Sequence, residues 1–369
     1  MNDPDGGNAH SSRFARWSRV QAVGVLAGVL VLLLWGLIDG TNLPAHYQSS
    51  NGSVTNVGLY NAIVDKMMEG DSYYKAVDES QAARGFPTRP SSTVREPTLA
   101  TVEAWLGGSR PMFFVLIALV GLVSVLMIVR LEGVAPGRIS WWLASTLCVV
   151  SAVIFLKSAG ADFHEYWAGI LVALSLATLS STRWRVSIFI AFMAVLVREL
   201  AFPLVAGMAL YEFLAGRRHR AVAWIVAALG FAAFLAVHAV RVRHDVAPAA
   251  YQSPGWIKFG GWPFFVDSVR YTSFLIALPV WAGAIAVPMA LLGWLSRQGD
   301  LANRVTLLLG IYAIAFMIVG RPGNVYWGLL FVVILMPGLA FAPSALIELK
   351  LTLSRAELLT TARESPNVG

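Results

Sequence analysis

Runs of apolar residues long enough to cross a bilayer recur along this chain, and most are separated by short turns that carry arginine. About 20 helical residues, each rising 1.5 Å, span a hydrocarbon core of about 30 Å. No water reaches the backbone there, so such a run must close its hydrogen bonds within a helix. This pattern excludes most soluble architectures before any motif is read. Composition agrees, with 57% hydrophobic and only 13% charged residues in 369. The net charge of +7 could suit nucleic acid. Arginines confined to turns between apolar runs are more simply topology signals, so no nucleic-acid partner is expected.

Taken in order, residues 1–19 form a polar lead with Arg13, Arg16 and Arg19 before the first run, 20–38. That run shows no signal-peptide cleavage site and is long enough to span. The positive-inside rule then puts the lead in the cytoplasm and Asp39 on the far side. Residues 39–110 make a long outer loop. Leu59, Ile63 and Met67, beside Tyr60 and Val64, recur at helical spacing, and Gly70 ends the pattern. Such a helix suits the membrane interface. A second helical period runs over 98–105.

Later runs at 111–129, 141–156, 164–179, 221–240, 273–295, 305–319 and 325–343 alternate between sides. Residues 186–216 are too long for one comfortable span and are interrupted by Arg198, Glu199 and Pro203, so they read as two short helices meeting at that pair. The expected fold is therefore an all-α, single integral membrane domain of about ten spans. Its second outer loop covers 241–272 and its cytoplasmic tail 344–369. The lone cysteine, Cys148, lies inside an apolar run and gives no redox information. The sequon at Asn51 matters only in a protein that passes through an endoplasmic reticulum, which the Ala- and Arg-rich composition does not favour.

Under this topology Asp39, Arg95, Glu96, His164, Glu165, Arg198, Glu199, Arg321, Asn324 and Tyr326 share one membrane edge. Ionisable groups there are tolerated where they pair or line a wet cavity. Each has a structural alternative: an ion pair at a helix break, a helix cap, a snorkelling cation. Guanidinium groups beside apolar grooves suit a lipid phosphate, and a carboxylate at the water boundary suits proton abstraction from a hydroxyl. There is no Walker-A sequence, GxGxxG, CxxC or HExxH, and His164, His219, His238 and His244 lack metal-ligand spacing. No dedicated metal site is expected, although a divalent cation is not thereby excluded.

Several of these stretches resemble the GT-C superfamily of integral membrane glycosyltransferases. A first span ending in a carboxylate, then a long outer loop with membrane-lying helices, is similar to that group. So are Leu59-Tyr60-Asn61-Ala62-Ile63-Val64, Gly70-Asp71-Ser72-Tyr73-Tyr74, Arg95-Glu96-Pro97-Thr98, His164-Glu165-Tyr166-Trp167-Ala168-Gly169, Arg198-Glu199-Leu200-Ala201 and Gly320-Arg321-Pro322 with Asn324 and Tyr326. The resemblance implies a GT-C helical bundle in the bacterial inner membrane, its site facing the periplasm. It implies inverting sugar transfer from a polyprenyl-phosphate donor to an envelope glycan, lipid or other hydroxyl acceptor.

Asp39 would be the general base. Glu96 is the next candidate, because Gly40 stands where relatives often have a second acid and Asn56-Val57-Gly58 where they carry Asp. Arg198 and Arg321 would hold the donor phosphate with Arg95 and His164 in support. Glu165, Glu199, Asn324 and Tyr326 would orient them, and Tyr73, Tyr74 and Trp105 would wall the sugar. A flippase for a lipid-linked glycan and a non-catalytic polyprenyl-lipid-binding protein remain open alternatives.

Overall fold

The computed structural model describes residues 12–39, 52–156, 162–249, 253 and 257–364. The start of the polar lead, Asn51 of the sequon, the outer turn at 157–161, Trp256 and the end of the tail lie outside the described residues. Among the described residues the fold is all-α, with fifteen α-helices joined by short 3-10 segments. In chain order they are α1 (Arg19–Asp39), α2 (Gly52–Met68), α3 (Tyr73–Arg84), α4 (Thr98–Leu106), α5 (Ser109–Glu132), α6 (Arg138–Val153), α7 (His164–Thr178) and α8 (Trp184–Val197). There follow α9 (Phe202–Leu214), α10 (Arg218–Asp245), α11 (Gly261–Tyr271), α12 (Val280–Ser296), α13 (Asp300–Val319), α14 (Val332–Leu335) and α15 (Ala342–Glu364).

Local sequence explains where these helices begin and end. Ser18 and Gln21 form a reciprocal capping box at the start of α1, with backbone-to-side-chain bonds of 3.3 and 3.0 Å. Gly85 and Gly107 close α3 and α4 at φ of 67° and 89°, a left-handed turn that a residue with a Cβ enters only under strain. Arg198 is extended (φ −153°, ψ 117°) and ends α8, and Pro203 stands in the first turn of α9. The two short helices expected over 186–216 are thus present, with the Arg-Glu pair between them.

Among the described residues, five stretches are long and apolar enough to cross a membrane: α1, α5, α10, α13 and the run from Val332 to Arg355. Their outer faces carry uncovered Val, Leu, Ile and Phe, such as Leu30, Val31, Phe114, Val125, Ile225 and Leu229. A band of that size calls for an apolar solvent.

Ten spans were expected from hydropathy, and this is corrected. Helices α6, α8 and α12 are apolar but have only 16, 14 and 17 residues. At 1.5 Å per residue, 14 residues reach roughly 21 Å, short of a hydrocarbon core. Helix α7 is sheathed by protein along nearly its whole length. The run expected as a last span, 325–343, is buried and broken into 3-10 turns around the four-residue α14, and the stretch able to cross is shifted to Val332–Arg355. Irregular backbone is tolerated at such depth only where protein surrounds it.

Glycines permit that arrangement. A Cβ on Gly293 would lie 1.9 Å from the Gly338 carbonyl oxygen, and one on Gly169 would lie 2.0 Å from that of Leu329. Within the loop expected over 241–272, α10 continues to Asp245 and α11 occupies Gly261–Tyr271.

The two ends of the bundle differ in chemistry. At one end Arg13 reaches Asn303 at 2.5 Å, and Arg130 reaches the Leu179 carbonyl at 3.0 Å. Arg304 bridges Glu212 and Asp300, each at 2.7 Å, and Arg217 joins the same carboxylates. The arginines that mark the sequence's turns therefore meet as a paired network. The first-loop helices α2, α3 and α4 close over the other end, sharing a small apolar core with Val242 and Val246 from the end of α10.

Candidate functional site

Beneath α2, α3 and α4 lies a partly open cavity of about 170 Å³. The loop supplies Tyr60, Tyr73, Gln81, Arg95 and Glu103 to its wall, and the bundle supplies Asp162, His164, Asn324 and Tyr326.

Arg95 is fixed from two helices. Its Nε donates to the Tyr60 hydroxyl at 3.1 Å, and Tyr73 donates its hydroxyl to the Arg95 carbonyl at 2.6 Å. It is only half-buried and is the guanidinium that lines the cavity. Arg198 stands behind it and is 1% exposed. Its Nε donates to Glu165 at 2.6 Å and its Nη1 to Glu199 at 2.5 Å, while Nη2 has no partner. Glu165 sits in the first turn of α7, where the helix dipole favours a carboxylate.

Glu96, 3% exposed, completes the cluster. Burial, and then the nearby Glu199 carboxylate, push its carboxyl well above the usual range. Two guanidinium groups, of Arg95 and Arg198, thus lie among the carboxyl groups of Glu96, Glu165 and Glu199. A phosphate would meet Arg95 first, with Arg198 reinforcing it from behind.

His164 packs its ring edge-to-face on Tyr60 at 4.8 Å and lines the cavity. Tyr326 packs against Phe163 at 6.0 Å. No protein-family model, no curated protein and no solved structure matches the chain. The site must therefore be judged on its own geometry.

That geometry sorts the expected residues. Arg95, His164, Asn324, Tyr326 and Tyr73 line the cavity, and Glu96, Glu165, Arg198 and Glu199 form the charged cluster behind it. Arg321 lies in the turn after α13, half-buried, and is not among the residues that line the cavity. Tyr74 turns toward α10, its hydroxyl 3.1 Å from His238 Nδ1. Trp105 is 83% exposed at the end of α4, a position that suits an interface belt. Asp39 is exposed at the end of α1, accepts from the Trp35 indole N–H at 2.7 Å, and does not line the cavity. Among the described residues no group of three His, Cys, Asp or Glu converges as metal ligands would.

Three lining residues escaped the sequence reading: Gln81, Glu103 and Asp162. Burial pushes Glu103 up to about 7, with Asp162 adding to it, and burial alone pushes Asp162 up to about 6. A signal for two of them was present. Glu103 occupies the same face of α4 as Leu99 and Ala100, and Gln81 continues the Tyr73, Val77 stripe of α3. A polar residue on an otherwise apolar helical face is the feature to look for.

Proposed function

We propose that this protein is a membrane glycosyltransferase that moves a sugar from a polyprenyl-phosphate donor to an acceptor hydroxyl on the extracytoplasmic side. The observation that carries the reading is the Arg95–Arg198 arrangement: one guanidinium in the cavity wall, a second behind it, both at the rim of an apolar bundle. Paired guanidinium groups match phosphate oxygens and stabilise negative charge on a departing phosphate. An isoprenoid tail would lie along the uncovered apolar faces, and the sugar would occupy the cavity. The resemblance to GT-C enzymes supports the same reading.

The proton acceptor has two candidates. Asp39 has the position that the resemblance gives to the base, and Glu96 adjoins Arg95. Burial raises the Glu96 carboxyl, which suits a proton donor better than an acceptor. The site of Asp39 outside the cavity wall favours one second reading, a protein that binds polyprenyl lipids without turnover. A flippase is disfavoured by the apolar core that separates the cavity from the arginine network.

The test uses the full chain in proteoliposomes with labelled polyprenyl-phosphate sugars and a panel of acceptors. Transfer should fall about 100-fold in Arg95→Gln, the loss typical of one electrostatic donor, and binding of labelled polyprenyl phosphate should fall with it. Asp39→Asn should lose turnover and keep donor binding. Donor binding without transfer across the panel would instead establish the second reading.

A further inference from the structure

The wall of the cavity holds more hydrogen-bond acceptors than the protein satisfies. Gln81, Glu103 and Asp162 are each 4% exposed. Gln81 Oε1, Glu103 Oε1 and Asp162 Oδ1 have no hydrogen-bond partner. Unsatisfied buried acceptors each cost stability, so three around one space require an explanation. They come from three different segments, α3, α4 and the approach to α7, and all line the same cavity.

We infer that Gln81, Glu103 and Asp162 form a subsite that accepts hydrogen bonds from the hydroxyl groups of a neutral sugar unit. Hydroxyls are the donors that suit three acceptors of this kind. An amine would be drawn to the carboxyls but repelled by Arg95 across the same cavity. A hydroxyl also accepts, and Arg95 and Asn324 supply donors in the same wall. Tyr60 and Tyr73 offer aromatic surface to the C–H face of a pyranose or furanose ring. This subsite deepens the glycosyltransferase reading and rests on it for the identity of the ligand class.

The test is saturation-transfer NMR on the full chain in nanodiscs, without donor lipid, using methyl glycosides of neutral hexoses and pentoses. At least one glycoside should receive saturation from the wild type. Glu103→Leu and Gln81→Leu should weaken its binding about tenfold, the loss of one to two hydrogen bonds. Both should also raise the thermal midpoint of the empty protein, because each removes an unsatisfied buried acceptor. A merely structural role would lower that midpoint.

Glu103→Met repeats the binding measurement should the leucine variant not fold. No saturation of any glycoside, unchanged binding in the variants, or lowered midpoints would each overturn the subsite. Transfer and lipid-phosphate binding are measured separately. Glycoside binding in a protein that transfers nothing would sink the enzyme reading and leave the subsite standing.

Discussion

At the scale of single residues, burial decides more than charge does. Glu103 and Asp162 lie near carboxylates, but loss of water is the main cause of their raised pKa values. The folded chain therefore holds protons that the unfolded chain releases. An acid raised in the native state contributes stability below its ordinary pKa and loses it as pH climbs through the folded value. For Glu103 that window runs from the usual 4.5 to about 7. The thermal midpoint should fall across this range in wild type, and the slope should flatten in Glu103→Gln, as a detergent melt at several pH values would read. A midpoint that rises over the window would contradict the assignment.

Arg198 illustrates the second residue-level rule. Removing one member of a buried pair leaves the other charge stranded, at a typical cost of 3–5 kcal/mol, roughly. Arg198→Met should therefore unfold the chain at much lower temperature, because Glu165 is also 1% exposed. The double variant with Glu165→Met should recover most of the loss. A double variant no better than the single one would mean that Arg198 stabilises through contacts other than Glu165.

At the scale of elements, close backbone approach carries the fold. Helix α7 lies directly on the broken segment at Leu329, and its first turn holds His164 and Glu165 against the site. Gly169→Ala places a methyl 2.0 Å from a carbonyl oxygen. The helix must move away, at about 1–3 kcal/mol or more for overpacking. Ligand affinity should fall with the thermal midpoint. Gly24→Ala and Gly28→Ala in α1 meet nothing within 4 Å. They should leave the midpoint unchanged or raise it slightly through helix propensity. Equal effects at Gly169 and Gly24 would refute the close-packing account.

At the scale of the whole molecule, the two ends have separate tasks. One end is knotted by Arg13, Arg217, Arg304 and their carboxylate or amide partners, and the other is roofed by the first loop. Cys148 is buried, so the wild type offers a quiet background for labelling with an impermeant maleimide. Asp39→Cys and Trp105→Cys should react from one side of sealed vesicles and Arg218→Cys from the other. Labelling of Asp39→Cys and Arg218→Cys from the same side would dissolve the topology and the reading built on it.

Much of this plan could be read from the chain alone. The long apolar runs became α1, α5, α10 and α13, and the Arg198-Glu199 interruption became the break between α8 and α9. The apolar stripe at Leu59, Ile63 and Met67 became α2. Arg95, Glu96, His164, Glu165, Arg198 and Glu199 do gather around one cavity edge. These features follow from local periodicity and from the cost of charge in lipid, both properties of a stretch of sequence by itself. Tertiary contacts decided the rest. Hydropathy cannot distinguish an apolar run that faces lipid from one that faces protein, so α7, sheathed by protein along nearly its whole length, looked like another span. Which acceptors line the cavity, and that Asp39 is not among the wall residues, depends on how α3, α4 and α7 come together across more than eighty residues of chain.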